Sequence, residues 1–334
     1  MVFAGGSQEA DSGSDNLKVV LYVNGTLGDK SFFDSAARGI DKAVAELGIT
    51  GKVIEGGYDP SRWEPDITQL CEGDWDIIIA GTWQLQEILE KLAPMNPTKN
   101  FFTYDTSVNY DVAGTDNVYS ITYKQNEGSF LVGALAAMIT TSDLPLANDD
   151  KVVGFLGGMD IGVINDFKVG FMEGAAYVDP SVEVLVAYAG AWQDPAKGKE
   201  LTLAMYDQGA DITFNVAGET GLGGIDAAKD RSKYTFGVDS DQYEILKDTD
   251  ADKAANIVTS MMKNVDNSIY RAIKMHIDGN LVYGAAEGLG IAEGGVGVAY
   301  NENYSAIVPA DMQAKIKVIE DKILAGEITI GSAF

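Results

Sequence analysis

A single cysteine and a single histidine in 334 residues narrow the chemistry before any motif is read. Cys71 cannot close an internal disulfide. With no base beside it in Ile67-Thr-Gln-Leu-Cys-Glu, it reads as a small buried hydrophobe rather than a nucleophile. His276 falls on an amphipathic helical stretch. One histidine and one cysteine leave no histidine-rich metal site and none of the usual serine or cysteine triads. An all-carboxylate metal site stays open, but no calcium-loop spacing is present. Basic charge is scarce too: 24 Lys and Arg stand against 50 Asp and Glu, a formal net charge of -26. A nucleic-acid binder needs a basic face; the basic residues here are scattered, so nucleic acid is not an expected partner. The acidity reads as a solvated surface, with adaptation to a salty habitat as the other reading, and it argues against binding anionic lipid. No apolar run approaches the ~18–20 residues needed to span a bilayer.

What is present points to two domains, since single cores stop growing near ~250–300 residues. At the start, Met1-Val-Phe-Ala-Gly-Gly reads as the tail of a signal peptide, and the polar run to residue 16 as a tether. An expression artefact is the alternative there. From residue 17 the hydrophobic period switches repeatedly between strand and helix. Strands are expected at 17–23, 52–55, 76–80, 100–105 and 117–122. The first helix carries Phe33, Ala37, Ile40, Val44 and Leu47 on one stripe and closes at Gly48; others are expected at 65–71 and 83–92. The alternation then restarts, with strands at 151–156, 182–188, 211–216 and 234–238 and helices at 164–177, 195–208 and 221–229. A helix near 254–278, a strand at 280–284 and a helix at 310–325 complete the chain. Two consecutive β–α series imply an α/β protein with two doubly wound parallel sheets.

Ligands of such sheets bind beyond the carboxyl ends of the strands, and there glycines, carboxylates and aromatics collect. Phe32 and Trp192 lie in post-strand loops off any core stripe; together they can sandwich a flat ring, or each can cap its own lobe. Asp105 and Asp239 end buried-type strands, where a carboxylate packs poorly; they read as acceptors for ligand hydroxyl or N–H groups, or as helix caps. Asp29 and Asp34 flank Phe32 and admit the same two readings, with capping favoured. The run Ala217-Gly-Glu-Thr-Gly-Leu-Gly-Gly lacks both the P-loop ending and the dinucleotide spacing, so close approach of the Gly218 backbone to an uncharged ligand explains it better than phosphate. Lys263 reads as a donor to a sugar oxygen or as a solvated surface lysine. No cofactor is expected.

At these loops the chain resembles the basic membrane protein family of substrate-binding lipoproteins, which includes purine-nucleoside receptors of ABC importers. The resemblance rests on Gly28-Asp-Lys-Ser-Phe-Phe-Asp-Ser-Ala-Ala-Arg-Gly39, Asn126-Glu-Gly-Ser-Phe-Leu-Val-Gly133, Lys151-Val-Val-Gly-Phe-Leu-Gly-Gly158, Phe167-Lys-Val-Gly-Phe-Met-Glu-Gly-Ala175, Gly209-Ala-Asp-Ile-Thr-Phe-Asn-Val-Ala-Gly218 and Gly237-Val-Asp-Ser-Asp-Gln242. It implies a type I periplasmic-binding-protein fold, with crossings near 119–122, 257–260 and 281–284. One lobe is then 17–121 plus 260–281, the other 122–259 plus 282–334. In nucleoside-binding members two aromatics sandwich the base while Asp residues and a Lys hold base and ribose. By motif, Phe32 is similar to the first aromatic and Trp192 stands where phenylalanine is usual. Asp105, Gly218, Asp239 and Lys263 fall on the other ligand positions. Phe33 departs from the family, replacing an asparagine expected to hydrogen-bond ligand; with Trp192 it makes the pocket more apolar.

The resemblance implies a monomeric extracytoplasmic binder of a small molecule, a purine nucleoside before other flat or apolar ligands. Its partner is the ABC importer permease, and it meets the membrane only there or through an anchor. A two-lobed nucleoside- or sugar-processing enzyme is the competing class, against which stands the missing acid–base histidine. A ligand-sensing module of a regulator is the third, without an attached DNA-binding or signalling segment.

Overall fold

A computed structural model describes residues 16–334. The expected signal-peptide tail and all but the last residue of the tether lie outside the described residues.

Two six-stranded sheets are built in succession. The first uses β1 (Lys18–Val23), β2 (Thr50–Glu55), β3 (Ile77–Ala80), β4 (Asn100–Tyr104) and β5 (Val118–Tyr123). The second uses β6 (Val152–Gly157), β7 (Glu183–Tyr188), β8 (Ala210–Val216), β9 (Tyr234–Asp239) and β10 (Ile257–Lys263). The chain then returns to add β11 (Ala285–Leu289) to the first sheet and β12 (Val296–Val298) to the second, giving the orders β11-β5-β4-β3-β1-β2 and β12-β10-β9-β8-β6-β7. All pairings are parallel except that of β12, which runs antiparallel along β10 as an edge. The central strands β1, β3, β6, β8 and β9 are almost wholly buried and largely apolar, with Asp211, Thr213, Asn215, Thr235 and Asp239 as buried polar members of β8 and β9, as expected where helices cover both faces.

The sheets move the expected lobe boundaries. Strand β5 stays in the first sheet through Tyr123, β10 stays in the second through Lys263, and β11 pairs with β5. The crossings therefore fall near 124, 264 and 290–295, after the strands end rather than within them, because a ladder satisfies its backbone groups along its whole length. Residues 122–123 and 285–289 belong to the first sheet, and 260–263 to the second. The expected strand at 280–284 is a turn into β11, tied by Gly284 N–H to Val118 O at 2.8 Å. The expected helix over 254–278 divides into Ala251–Ala254, β10 and Val265–Ile277.

Helix Gln125–Thr140 gave no periodic signal because 13 of its 16 residues are buried, leaving no polar face to set the period. It packs along Gly162–Val178 at backbone distance. A Cβ on Gly133 would sit 2.1 Å from Phe171 O, and one on Gly174 2.0 Å from Phe130 O. Two of the family-like glycine motifs are thus helix-packing surfaces. One apolar cluster runs from β1 through Tyr123 and Phe130 into β6 and β8, tying the lobes together on the crossing side. Among the described residues no helix is long and apolar enough to cross a membrane.

Candidate functional site

The carboxyl ends of the two sheets face one another across a cleft whose empty space, open solvent included, is about 700 Å³. Eight of the residues singled out from the sequence line it: Asp29, Phe32, Phe33, Asp105, Trp192, Gly218, Asp239 and Lys263.

On the first lobe, helix Phe32–Leu47 starts at the cavity wall. Asp29 accepts the N–H groups of Ser31, Phe33 and Asp34 at 3.0, 2.9 and 3.1 Å, so its carboxylate satisfies the first helical turn. Capping is the reading realised for Asp29. Asp34 closes the preceding loop by accepting from Gly28 and Lys30 N–H and does not line the cavity. Phe32 stacks toward Tyr104 at 5.5 Å between centroids and meets Phe33 edge-on at 5.4 Å. The Phe33 ring sits on Gly25, where a Cβ would be 2.3 Å from it.

On the second lobe, the Trp192 ring lies on Gly158, whose Cβ would come within 2.4 Å of it. Its carbonyl accepts Thr220 N–H at 3.0 Å, which fixes the loop to the start of helix Glu219–Arg231. Gly218, at φ 56°, ψ -135°, occupies backbone space that essentially only glycine takes.

Neither Asp105 nor Asp239 caps a helix. Both sit at φ 63° just past the ladder of β4 and at the end of β9, and the cap of the helix after β9 is Asp241 instead. Lys263 is not a solvated lysine: it is 1% exposed. Its Nζ makes an ion pair with Asp105 and lies 5.4, 5.0 and 5.1 Å from the ring centroids of Phe32, Tyr123 and Phe167. Asp239 accepts from Ser31 Oγ at 2.5 Å. Burial pushes its carboxyl up to about 7, with Lys263 and the Ser31 bond opposing. Burial likewise raises Asp105, again against Lys263.

The lobes touch directly beside the cavity. Ser240 Oγ donates to Ser31 O at 3.0 Å, Arg38 Nη2 to Ser240 Oγ at 2.8 Å and Gln242 Nε2 to Lys30 O at 3.2 Å. This is a closed arrangement.

Asn24, Tyr58, Thr82, Trp83, Gln84 and Phe167 also line the cavity, although no residue-type pattern in the sequence sets them apart. Asn24 directly follows β1 and Thr82 lies two residues past β3, which is the available signal. Asn24 Nδ2 donates to Thr82 Oγ1 and Gln84 Oε1 at 3.0 and 2.9 Å, leaving its Oδ1 without a partner. Cys71 is buried far from this chemistry with its thiol pushed up to about 11, and His276 is held by the Tyr283 hydroxyl at 2.8 Å. Neither lines the cavity.

A cavity closed between two lobes, walled by aromatic rings and holding a buried ion pair, is the arrangement of a small-molecule binding protein. The chain belongs to the family described as ABC transporter substrate-binding protein PnrA-like, whose model matches residues 16–333. It is 30% identical to basic membrane protein D of Borreliella burgdorferi over 94% of this chain and 91% of that protein. It is 28% identical to the CD4+ T-cell-stimulating antigen of Listeria innocua, over 96% and 89% of the two chains. Among solved structures, an ABC transporter solute-binding protein from Aeropyrum pernix K1 superposes with a TM-score of 0.82 at 26% identity, covering 95% of this chain and 93% of that one. The fold is the type I periplasmic-binding-protein fold. The family is one of extracytoplasmic substrate-binding proteins of ABC transporters, not of enzymes.

Proposed function

We propose that the cavity holds a purine nucleoside and that the protein, as a monomer, presents its closed form to an importer permease. One observation carries the reading: the eight residues expected from the loops and the family motifs line a single inter-lobe cavity. Phe32 and Trp192 supply stacking faces from opposite lobes, and no direct ring contact between them occurs among the described residues. Base–aromatic stacking of this kind contributes about 1–3 kcal/mol per base. Asp105, Asp239 and Lys263 hold ring and ribose polar groups, Gly218 lets the ligand approach the backbone, and Phe33 adds an apolar wall. Closure follows from tighter binding to the closed form.

The test is a panel of adenosine, guanosine and inosine beside pyrimidine nucleosides, free bases and sugars, read by thermal shift and by chromatography of the recovered ligand. At least one purine nucleoside should raise the melting temperature and be recovered intact. Absence of a shift with every purine nucleoside removes the ligand assignment and leaves the fold untouched; release of free base removes the binding-only reading. Attachment to the membrane through a lipid anchor belongs to the same proposal, and mass spectrometry of the protein from its native membrane fraction tests it.

A further inference from the structure

The nucleoside cavity fills only part of the cleft. A second compartment of about 1280 Å³, its mouth included, adjoins it, and the two share Trp83, Asp105, Ile161 and Val163 as common walls. Resting on the nucleoside reading, we infer that the cleft accepts a nucleoside carrying a neutral, partly apolar substituent, which occupies this second compartment.

Three features of the compartment set the chemistry. First, Trp83 stands at the junction and is 50% exposed, while Phe32 and Trp192 are more deeply set in the first cavity. A large indole left half in solvent beside a void is a surface for a further ring, since aromatic side chains dominate the energetics of such contacts. Thr82, which precedes it, is held at φ 77°, ψ 151°, a conformation that a non-glycine residue adopts at a cost. That geometry lets the Trp83 turn lie against both compartments. Second, the remaining walls are hydroxyls, the side-chain amides of Gln86 and Gln125, and apolar groups. Thr106 Oγ1 donates to Gln86 Oε1 at 3.2 Å and Ser107 Oγ to Val108 O at 3.0 Å, so each oxygen keeps acceptor capacity for a ligand. Third, among the described residues the only charged side chain in the wall is Asp105, and its partner Lys263 already neutralises it. Among the described residues no lysine, arginine or histidine lines the compartment. A phosphate or carboxylate there would be brought beside a carboxylate with no cation to receive it, so the substituent is neutral.

Isothermal titration with adenosine and guanosine, each also carrying a benzyl group on its exocyclic nitrogen or on its 5′ oxygen, tests this. At least one benzyl derivative should bind ten-fold or more tighter than its parent, and the position that gains reports which end of the nucleoside faces Trp83. Ser107→Trp, which fills the second compartment, should cut that ratio to below three-fold; Thr106→Phe serves the same purpose should the first variant not fold. Binding of the parent nucleosides with no gain from any benzyl group overturns the inference alone, as does a gain that persists in both filled variants. Failure of every compound to bind overturns the nucleoside reading and this inference with it.

Discussion

The two lobes repeat one strand order, and the repeat places equivalent residues at the cleft. Asp105 follows β4 and Asp239 ends β9, in matching sheet positions and with the same φ of 63°. Thr82 follows β3 as Gly218 follows β8, both at positive φ. The correspondence breaks at the next strand. Lys263 ends β10, whereas Tyr123 ends β5, and the lysine reaches across to lie 5.0 Å from that tyrosine ring while pairing with Asp105. Two equivalent buried carboxyls therefore share one cation. Asp105 has it in direct contact; Asp239 has only a serine hydroxyl, and its carboxyl rises to about 7. The scaffold supplies symmetric positions, and one substitution at a strand end makes the site chemically one-sided, with a charged pair toward one lobe and a carboxyl able to hold a proton toward the other.

Removing the cation should produce the largest effect. Lys263→Met leaves Asp105 buried and unpaired, and urea unfolding should show a loss of about 3–5 kcal/mol. A loss under about 1 kcal/mol would mean that the pair is not formed as described. Next comes stacking, which the comparison predicts to be balanced across the lobes. Phe32→Ala and Trp192→Ala should each weaken the best-binding nucleoside by about 1–3 kcal/mol in titration calorimetry; a change within about 0.5 kcal/mol for Trp192→Ala removes the sandwich.

Backbone strain separates the matched pair Thr82 and Gly218. Gly218→Ala should destabilise by about 1–2 kcal/mol, because a Cβ at φ 56°, ψ -135° is strained, a cost that Thr82 already bears at φ 77°, ψ 151°. The smallest effect concerns protons. The folded chain keeps a proton on Asp239 up to about pH 7, where the unfolded chain releases it near 3.8. The stability this group contributes is therefore full below its ordinary value and is lost as the pH rises to about 7. Asp239→Asn should flatten that slope: between pH 6 and 7, where the group contributes about 1 kcal/mol, its melting temperature should fall by about 2–4 °C less than that of the unaltered protein. An unchanged slope would place the raised group elsewhere.

Much of this was legible from local pattern. The strands β1, β3, β6, β8 and β9 are short apolar runs bounded by turns, and the residues immediately after them line the cleft, so strand ends pointed to Asp105, Asp239 and Gly218. Helix Gln125–Thr140 escaped notice because a helix buried on all sides has no amphipathic period. The strand β10 reads as part of a helix because Ile257-Val-Thr-Ser-Met-Met-Lys is too short to distinguish a buried strand from a buried helical turn. Trp83 and Asn24 sat in the right loops without a residue-type signal that set them apart from their neighbours.

The sequence by itself determined the succession of β–α units, the two sheets and the loops that meet at the cleft, since periodicity and turn residues act over a few positions along the chain. The family motifs added which of those loop residues to watch. Tertiary structure alone decided that Asp29 is committed to a helix start, that Lys263 is buried and that it pairs with Asp105, 158 residues away, rather than with Asp239. It alone disclosed the second compartment behind Trp83. Those outcomes depend on the distance and burial of groups brought together by closure of two lobes, and no local pattern in the chain encodes a distance between its halves.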